Sequence, residues 1–204
     1  MNAKKLLSIL IASFILIIVW FLWPDANITN YPPDGDVIVA FGDSLVEGVG
    51  ATMGNDFVSL LSKDLNLPII NLGVSGNTTT DGLARIDAVL AEKPDIVLLL
   101  LGGNDFLRRV PAKETFANLA QIIKTLQDSG AVVVLLGVRG GLISDGYESY
   151  YAKLAKEYHT AYVPNVLAGL IGNREYMADS IHPNDIGYAK VAKKLLPVLR
   201  RVLQ

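Results

Sequence analysis

From residue 36 to residue 203, short apolar runs alternate with stretches in which apolar residues recur every three or four positions. The run IVLLLL at 96–101 has no polar member, as a strand covered on both faces requires. Runs at 36–41 (DVIVAF), 68–72 (PIINL), 131–136 (AVVVLL) and 161–163 (AYV) also read as strands. Between them, three sets follow helical spacing: Phe57, Leu60, Leu61 and Leu65; Leu83, Ile86 and Leu90; Phe116, Leu119, Ile123 and Leu126. Tyr147, Tyr150, Tyr151, Leu154 and Tyr158 form a fourth stripe, read as core packing with Tyr147 as a candidate pocket wall. A last helix is predicted over 183–203, kinked at Pro197. This rhythm predicts an α/β fold, a parallel sheet with helices on both faces. Right-handed crossovers leave every strand's carboxyl end on one edge, and ligands bind along that edge.

The N-terminus carries a different signal. Residues 6–23 contain no charge and only Ser8 and Ser13 as polar members. As a helix the run is about 27 Å long, close to the ~30 Å hydrocarbon thickness of a bilayer. Lys4 and Lys5 precede it and Asp25, Asp34 and Asp36 follow, so the positive-inside bias places the rest of the chain outside the cytoplasm. Trp20 and Trp23 sit at the far end, where an interfacial aromatic belt belongs. The run is longer than a signal-peptide core and lacks a small-residue cleavage site. The expectation is an uncleaved membrane anchor at 1–23, a linker at 24–36 and one domain at 37–204, with secretion after cleavage as the alternative.

Composition excludes several classes. A chain that is 51% hydrophobic and 19% charged can bury enough surface to fold. Its net charge of −2 leaves no basic excess for nucleic acid. With no cysteine and two histidines, no disulfide framework, thiol nucleophile or clustered metal site is expected. The glycine-rich stretch 42–50 lacks the spacing of a phosphate-binding loop.

The informative residues follow the strands. Ser44 comes after the first, Gly76 after the second, Asn104 after the third, and Asp179 and His182 on the loop before the last helix. A serine hydroxyl is a weak nucleophile until an imidazole takes its proton. That imidazole needs an acceptor on its other nitrogen, and an Asp-x-x-His loop can supply one. Charge that develops on the tetrahedral oxygen needs fixed donors. Gly76, with no Cβ in the way, offers a backbone N–H, and Asn104 offers a side-chain amide. Gly73 competes with Gly76 for the first role. The pattern is not the Gly-x-Ser-x-Gly elbow, because Val46 stands where its second glycine belongs.

GDSL at 42–45, SGNT at 75–78, GGND at 102–105 and DSIHPN at 179–184 resemble the four blocks of the SGNH (GDSL) hydrolase superfamily. The nearest branch is the bacterial lysophospholipase L1, acyl-CoA thioesterase I and arylesterase group. The resemblance covers residues 37–199 and includes GLARI at 82–86. It implies a flavodoxin-like three-layer sandwich with a five-stranded sheet of order 2-1-3-4-5. It also implies Ser44 as nucleophile, His182 as base and Asp179 as its orienting carboxylate. The oxyanion hole would comprise the Ser44 and Gly76 N–H groups and the Asn104 side chain, with no cofactor. Phe106 and Ser180 stand where the branch often has glycine; Phe106, with Tyr147, is a candidate substrate-binding residue.

The reading that follows is a membrane-anchored bacterial serine esterase acting on small ester, thioester or lysophospholipid substrates from outside the cytoplasm. An acetyl esterase for cell-envelope carbohydrate keeps the same triad and is the second reading; a tethered module without catalysis is the third. Arg108 and Arg109 read as a solvated face, with an anionic head group as the rival partner. His159 reads as an ordinary helix histidine.

Overall fold

The computed structural model describes residues 28–139 and 146–204. The anchor expected at 1–23 lies outside the described residues, and among those no helix is long and apolar enough to cross a membrane.

Five strands form one parallel sheet: β1 (Ile38–Gly42), β2 (Ile69–Gly73), β3 (Ile96–Leu100), β4 (Val132–Leu136) and β5 (Ala161–Val163), in the order β2-β1-β3-β4-β5. The central three are buried along their whole length, which is why their sequences read as unbroken apolar runs. β2 lies at an edge and is only partly buried. Register is in step from β1 to β2 and β3, with Gly42 opposite Gly73 and Leu100. The carboxyl ends of three strands are thus brought level.

Eight helices are described: α1 (Ser44–Glu47), α2 (Phe57–Leu65), α3 (Thr79–Ala84), α4 (Ile86–Ala91), α5 (Gly103–Leu107), α6 (Ala112–Asp128), α7 (Tyr147–Glu157) and α8 (Asp185–Val202). The α2 and α8 helices pack together over one sheet face, and α3, α6 and α7 cover the other. This is the expected three-layer α/β sandwich. Phe57 of α2 stacks on Tyr188 of α8 across the first face. On the second face Phe116 of α6 meets Tyr147, Tyr150 and Tyr151 of α7. Tyr147 and Tyr151 of the tyrosine stripe are buried, whereas Tyr150 is 46% exposed.

Two departures from the sequence reading have local causes. The helix expected through Leu83 and Leu90 is two helices, broken where Arg85 leaves helical geometry at φ −120°. The guanidinium is thereby free to reach the strand ends. The two short helices α1 and α5, too brief to show a period, follow β1 and β3 directly. The last helix runs through Pro197 to Val202.

Of the segment read as a linker, residues 28–31 lie against the domain. The Thr29 N–H donates to the His159 carbonyl at 2.9 Å, and the Asn30 amide to the Gln127 and Ala131 carbonyls at 2.8 and 3.1 Å. Ile28 and Tyr31 pack on the core. All these contacts lie at the amino edge of the sheet, where β4 and β5 begin.

Candidate active site

At the end of β1, Gly42 turns the chain where a Cβ would stand 2.3 Å from the Leu100 carbonyl oxygen. Asp43 then caps α1, its carboxylate accepting from the Leu45 N–H at 3.0 Å. Ser44 is therefore the first residue of a short helix directly above the sheet. It is 7% exposed.

His182 arrives on a tight loop. The Met177–Pro183 bridge and the Ala178 N–H bond to the His182 carbonyl close it. Asn184 caps α8 by accepting from the Gly187 N–H at 3.0 Å. Inside the loop one Asp179 oxygen accepts from the Ile181 and His182 N–H groups at 2.8 and 2.7 Å. The other lies 2.7 Å from His182 Nδ1. On the far side of the ring, Nε2 lies 3.0 Å from Ser44 Oγ. A carboxylate on Nδ1 favours the tautomer with the proton there, which leaves Nε2 to accept from the serine. Burial alone would raise the Asp179 pKa. The His182 ring and the two backbone N–H groups outweigh it and hold the group at about 2. Asp179 thus remains a carboxylate throughout the neutral range.

The two glycine candidates differ in their surroundings. A Cβ on Gly73 would lie 2.1 Å from the Glu47 nitrogen, so this glycine lets α1 sit against β2. Gly76 has a left-handed φ of +80° and, among the described residues, only the Arg108 guanidinium near its Cβ position. Among the described residues neither the Ser44 nor the Gly76 N–H donates to a protein acceptor. Asn104, on α5, donates one amide proton to the Asn77 carbonyl at 3.0 Å. Its other contact, with Asp43, is long at 3.4 Å, so the second N–H remains available to a ligand.

Two arginines hold this loop. Arg85 donates to the Asn77 side-chain oxygen at 2.6 Å, to the Leu72 carbonyl at 2.8 Å and to the Gly42 carbonyl at 2.5 Å. Its guanidinium also lies 4.3 Å over the Phe41 ring. One side chain thus ties the ends of β1 and β2 to the segment carrying Gly76. Arg108, read from sequence as a solvated face, donates to the Gly76 carbonyl at 2.8 Å. The sequence reading missed the Arg85 role, although a cation on the buried side of an otherwise apolar GLARI segment was its signal.

Asp43, unlike the exposed Asp179, is a buried acid beside the nucleophile. Burial pushes its carboxyl up to about 7, against the lowering influence of the Leu45 N–H and of His182. Asp105, also fully buried, accepts from the Thr79 N–H at 2.9 Å and Thr79 hydroxyl at 2.5 Å. It pins α3 to α5.

Ser44, Asn104 and His182 open into one pocket with Leu45, Leu107, Val138, Leu167, Ile171 and Ile181 as aliphatic lining. Phe106 and Tyr147, the residues expected to bind substrate, lie in an adjoining hollow and do not line this pocket. On α5, positions 104 and 107 are three apart and share a face, which sends Phe106 the other way. It packs edge-on to Tyr147 at 5.3 Å between centroids. Leu107 borders both spaces. Among the described residues no three His, Asp or Glu side chains are grouped to hold a metal ion.

Comparison with known proteins identifies the family. Residues 40–190 match the GDSL-like lipase/acylhydrolase family. The chain is 33% identical over 178 residues to the esterase TesA of Pseudomonas aeruginosa, covering 81% of this chain and 89% of that one. It is 36% identical over 158 residues to an arylesterase of Vibrio mimicus, covering 72% and 79%. The crystal structure of TesA superposes with a TM-score of 0.77 at 33% identity, over 82% of this chain and all of that one. With its sheet order, its sequence blocks and these relatives in agreement, the chain belongs to the GDSL-like lipase/acylhydrolase family and is a serine ester hydrolase.

Proposed function

We propose that the protein cleaves carboxylic ester and thioester bonds through an acyl-enzyme on Ser44, while residues 6–23 hold it in a bacterial cytoplasmic membrane with the domain outside the cytoplasm. The observation that carries the chemistry is the pair of contacts on one imidazole, 3.0 Å to Ser44 Oγ and 2.7 Å to Asp179. In this reading His182 Nε2 takes the hydroxyl proton as Ser44 attacks the carbonyl carbon. The Ser44 and Gly76 N–H groups and the second Asn104 N–H, exchanging its long contact with Asp43, meet the oxygen as it becomes negative. Asp179 holds the imidazole in its tautomer and stabilises the cation that forms. His182 then gives its proton to the leaving alcohol or thiol, deprotonates a water that attacks the acyl carbon, and returns that proton to Ser44 Oγ as the carboxylic acid leaves.

The acyl part fits the aliphatic wall made by Leu107, Leu167, Ile171 and Ile181. Burying a methylene there is worth about 0.8 kcal/mol, so kcat/KM should rise with acyl length until the wall is filled. A p-nitrophenyl ester series from acetate upward, run beside acetylated sugars, tests this. A maximum at medium chain length supports the esterase reading; faster turnover of acetylated sugars would replace it with carbohydrate deacetylation. The anchor is tested by flotation of the full chain with bacterial membranes after an alkaline wash.

A further inference from the structure

The anchoring proposed for residues 6–23 has a geometric consequence for which esters the site can reach. Residues 28–31 are not free tether: they are fastened at the amino edge of the sheet by the bonds from Thr29 and Asn30 to His159, Gln127 and Ala131. Only residues 24–27 remain between Trp23 and this attachment. From Trp23 to Ile28 the chain spans at most about 18 Å when fully extended. Ser44, Gly76 and Asn104 all follow the opposite ends of the strands, at the carboxyl edge. A domain of this length is about 40 Å across. Turning its site toward the anchoring bilayer would put most of that distance between the attachment and the membrane, more than the tether can bridge.

We infer that the domain stands on its amino edge with the mouth of the Ser44 pocket facing away from the anchoring bilayer, so its substrates are dissolved esters of the aqueous space and not lipids of that leaflet. The inference rests on the anchor proposed above. The exposed aliphatic side chains at the mouth, Leu107 and Ile181, are 54% and 38% exposed. In this orientation they receive the acyl chain of an incoming ester and do not insert among lipids.

The chain has no cysteine, so single labels can be placed cleanly. Met53 is fully exposed on the loop after α1, whose neighbours Thr52 and Asn55 hydrogen-bond to Asp185 beside the His182 loop. Glu92 is exposed at the amino edge, between α4 and β3. Met53→Cys and Glu92→Cys are made in the full chain, labelled with a fluorophore and reconstituted in phosphatidylcholine vesicles carrying nitroxide head groups. With so short a tether, quenching at 92 should exceed that at 53 by at least about threefold. Equal quenching, or stronger quenching at 53, would overturn the orientation. Turnover of dissolved p-nitrophenyl butyrate should agree within about twofold between vesicles and detergent; a loss of about tenfold in vesicles would show the mouth against the bilayer. If the chain fails to float with the vesicles, the anchor itself is wrong and the inference falls with it. That outcome is separate from a floating chain whose labels report the opposite face.

Discussion

Replacing Arg85 with lysine tests whether the loop carrying the proposed oxyanion donor Gly76 is held from behind. The guanidinium reaches three acceptors at once: the carbonyls of Gly42 and Leu72 and the side chain of Asn77. A lysine keeps the charge but is a point donor without the rigid fork, so two of the three bonds are lost. Charge-assisted bonds contribute about 1.5–3 kcal/mol each, and for a half-buried group the lower end applies, so Arg85→Lys should cost about 3 kcal/mol of stability. The effect on rate is separate. Asn77, released from Arg85, also carries the carbonyl that holds the Asn104 amide. Displacing catalytic donors by about 1 Å costs on the order of 10²-fold, so kcat should fall by about 10- to 100-fold while KM changes little. The pH profile should keep its shape, because the Ser44–His182–Asp179 contacts do not involve Arg85. Steady-state kinetics well below the variant's melting temperature supplies the readout, and millimolar guanidinium added to Arg85→Ala should restore part of kcat. A destabilised Arg85→Lys with wild-type kcat, and no rescue by guanidinium, would refute a positioning role and leave Arg85 as packing alone.

Other perturbations separate the remaining parts. Gly73→Ala places a methyl 2.1 Å from the Glu47 backbone nitrogen and should cost more than about 3 kcal/mol in urea titration. Gly76→Ala meets no such contact, but it holds a side chain at φ +80° and should cost about 1–3 kcal/mol. Asp179→Asn should lower kcat by about 10³-fold or more, because the amide cannot hold the Nδ1 proton in place; single-turnover acylation rates measure it. The low Asp179 pKa of about 2 also means that its stabilising contribution, complete above the ordinary carboxylate range, is lost only as pH falls through about 2. Asp43 acts in the opposite sense. Its folded pKa of about 7 lies above the unfolded value of 3.8, so stability falls as pH rises between these values. At 1.36 kcal/mol per unit the fall is on the order of 4 kcal/mol. Asp43→Asn should flatten that slope in urea midpoints measured from about pH 4 to 8.

Much of this is legible in the sequence, for identifiable reasons. The runs IVLLLL and AVVVLL betray strands covered on both faces because burial there is complete along β3 and β4. The five proposed catalytic and oxyanion residues could be picked out because parallel strands deliver their following residues to one edge, and that is where Ser44, Gly76 and Asn104 lie. What could not be read depends on side-chain direction. A helix as short as α5 has no sequence period, so nothing marked Leu107 as facing the pocket and Phe106 as facing away. Gly76 is preferred to Gly73 in the sequence because SGNT matches the family's block there; the different clearance above each glycine is what a sequence does not display. Arg85 was hidden because it sits at a break within one apolar periodic stretch, and only the break frees it to reach three carbonyl or amide oxygens. The packing of residues 28–31 on the amino edge rests on backbone and amide bonds from Thr29 and Asn30, residue types whose turn-forming role is all that a sequence displays.

The central claim is that Ser44 is an activated nucleophile, and intact-protein mass spectrometry after fluorophosphonate treatment tests it most directly. Wild type should gain one phosphonyl group, mapped to Ser44, with loss of ester hydrolysis in step, and Ser44→Ala should gain none. A wild-type protein that remains unmodified while still hydrolysing esters, or an adduct mapped to another residue, would contradict the account.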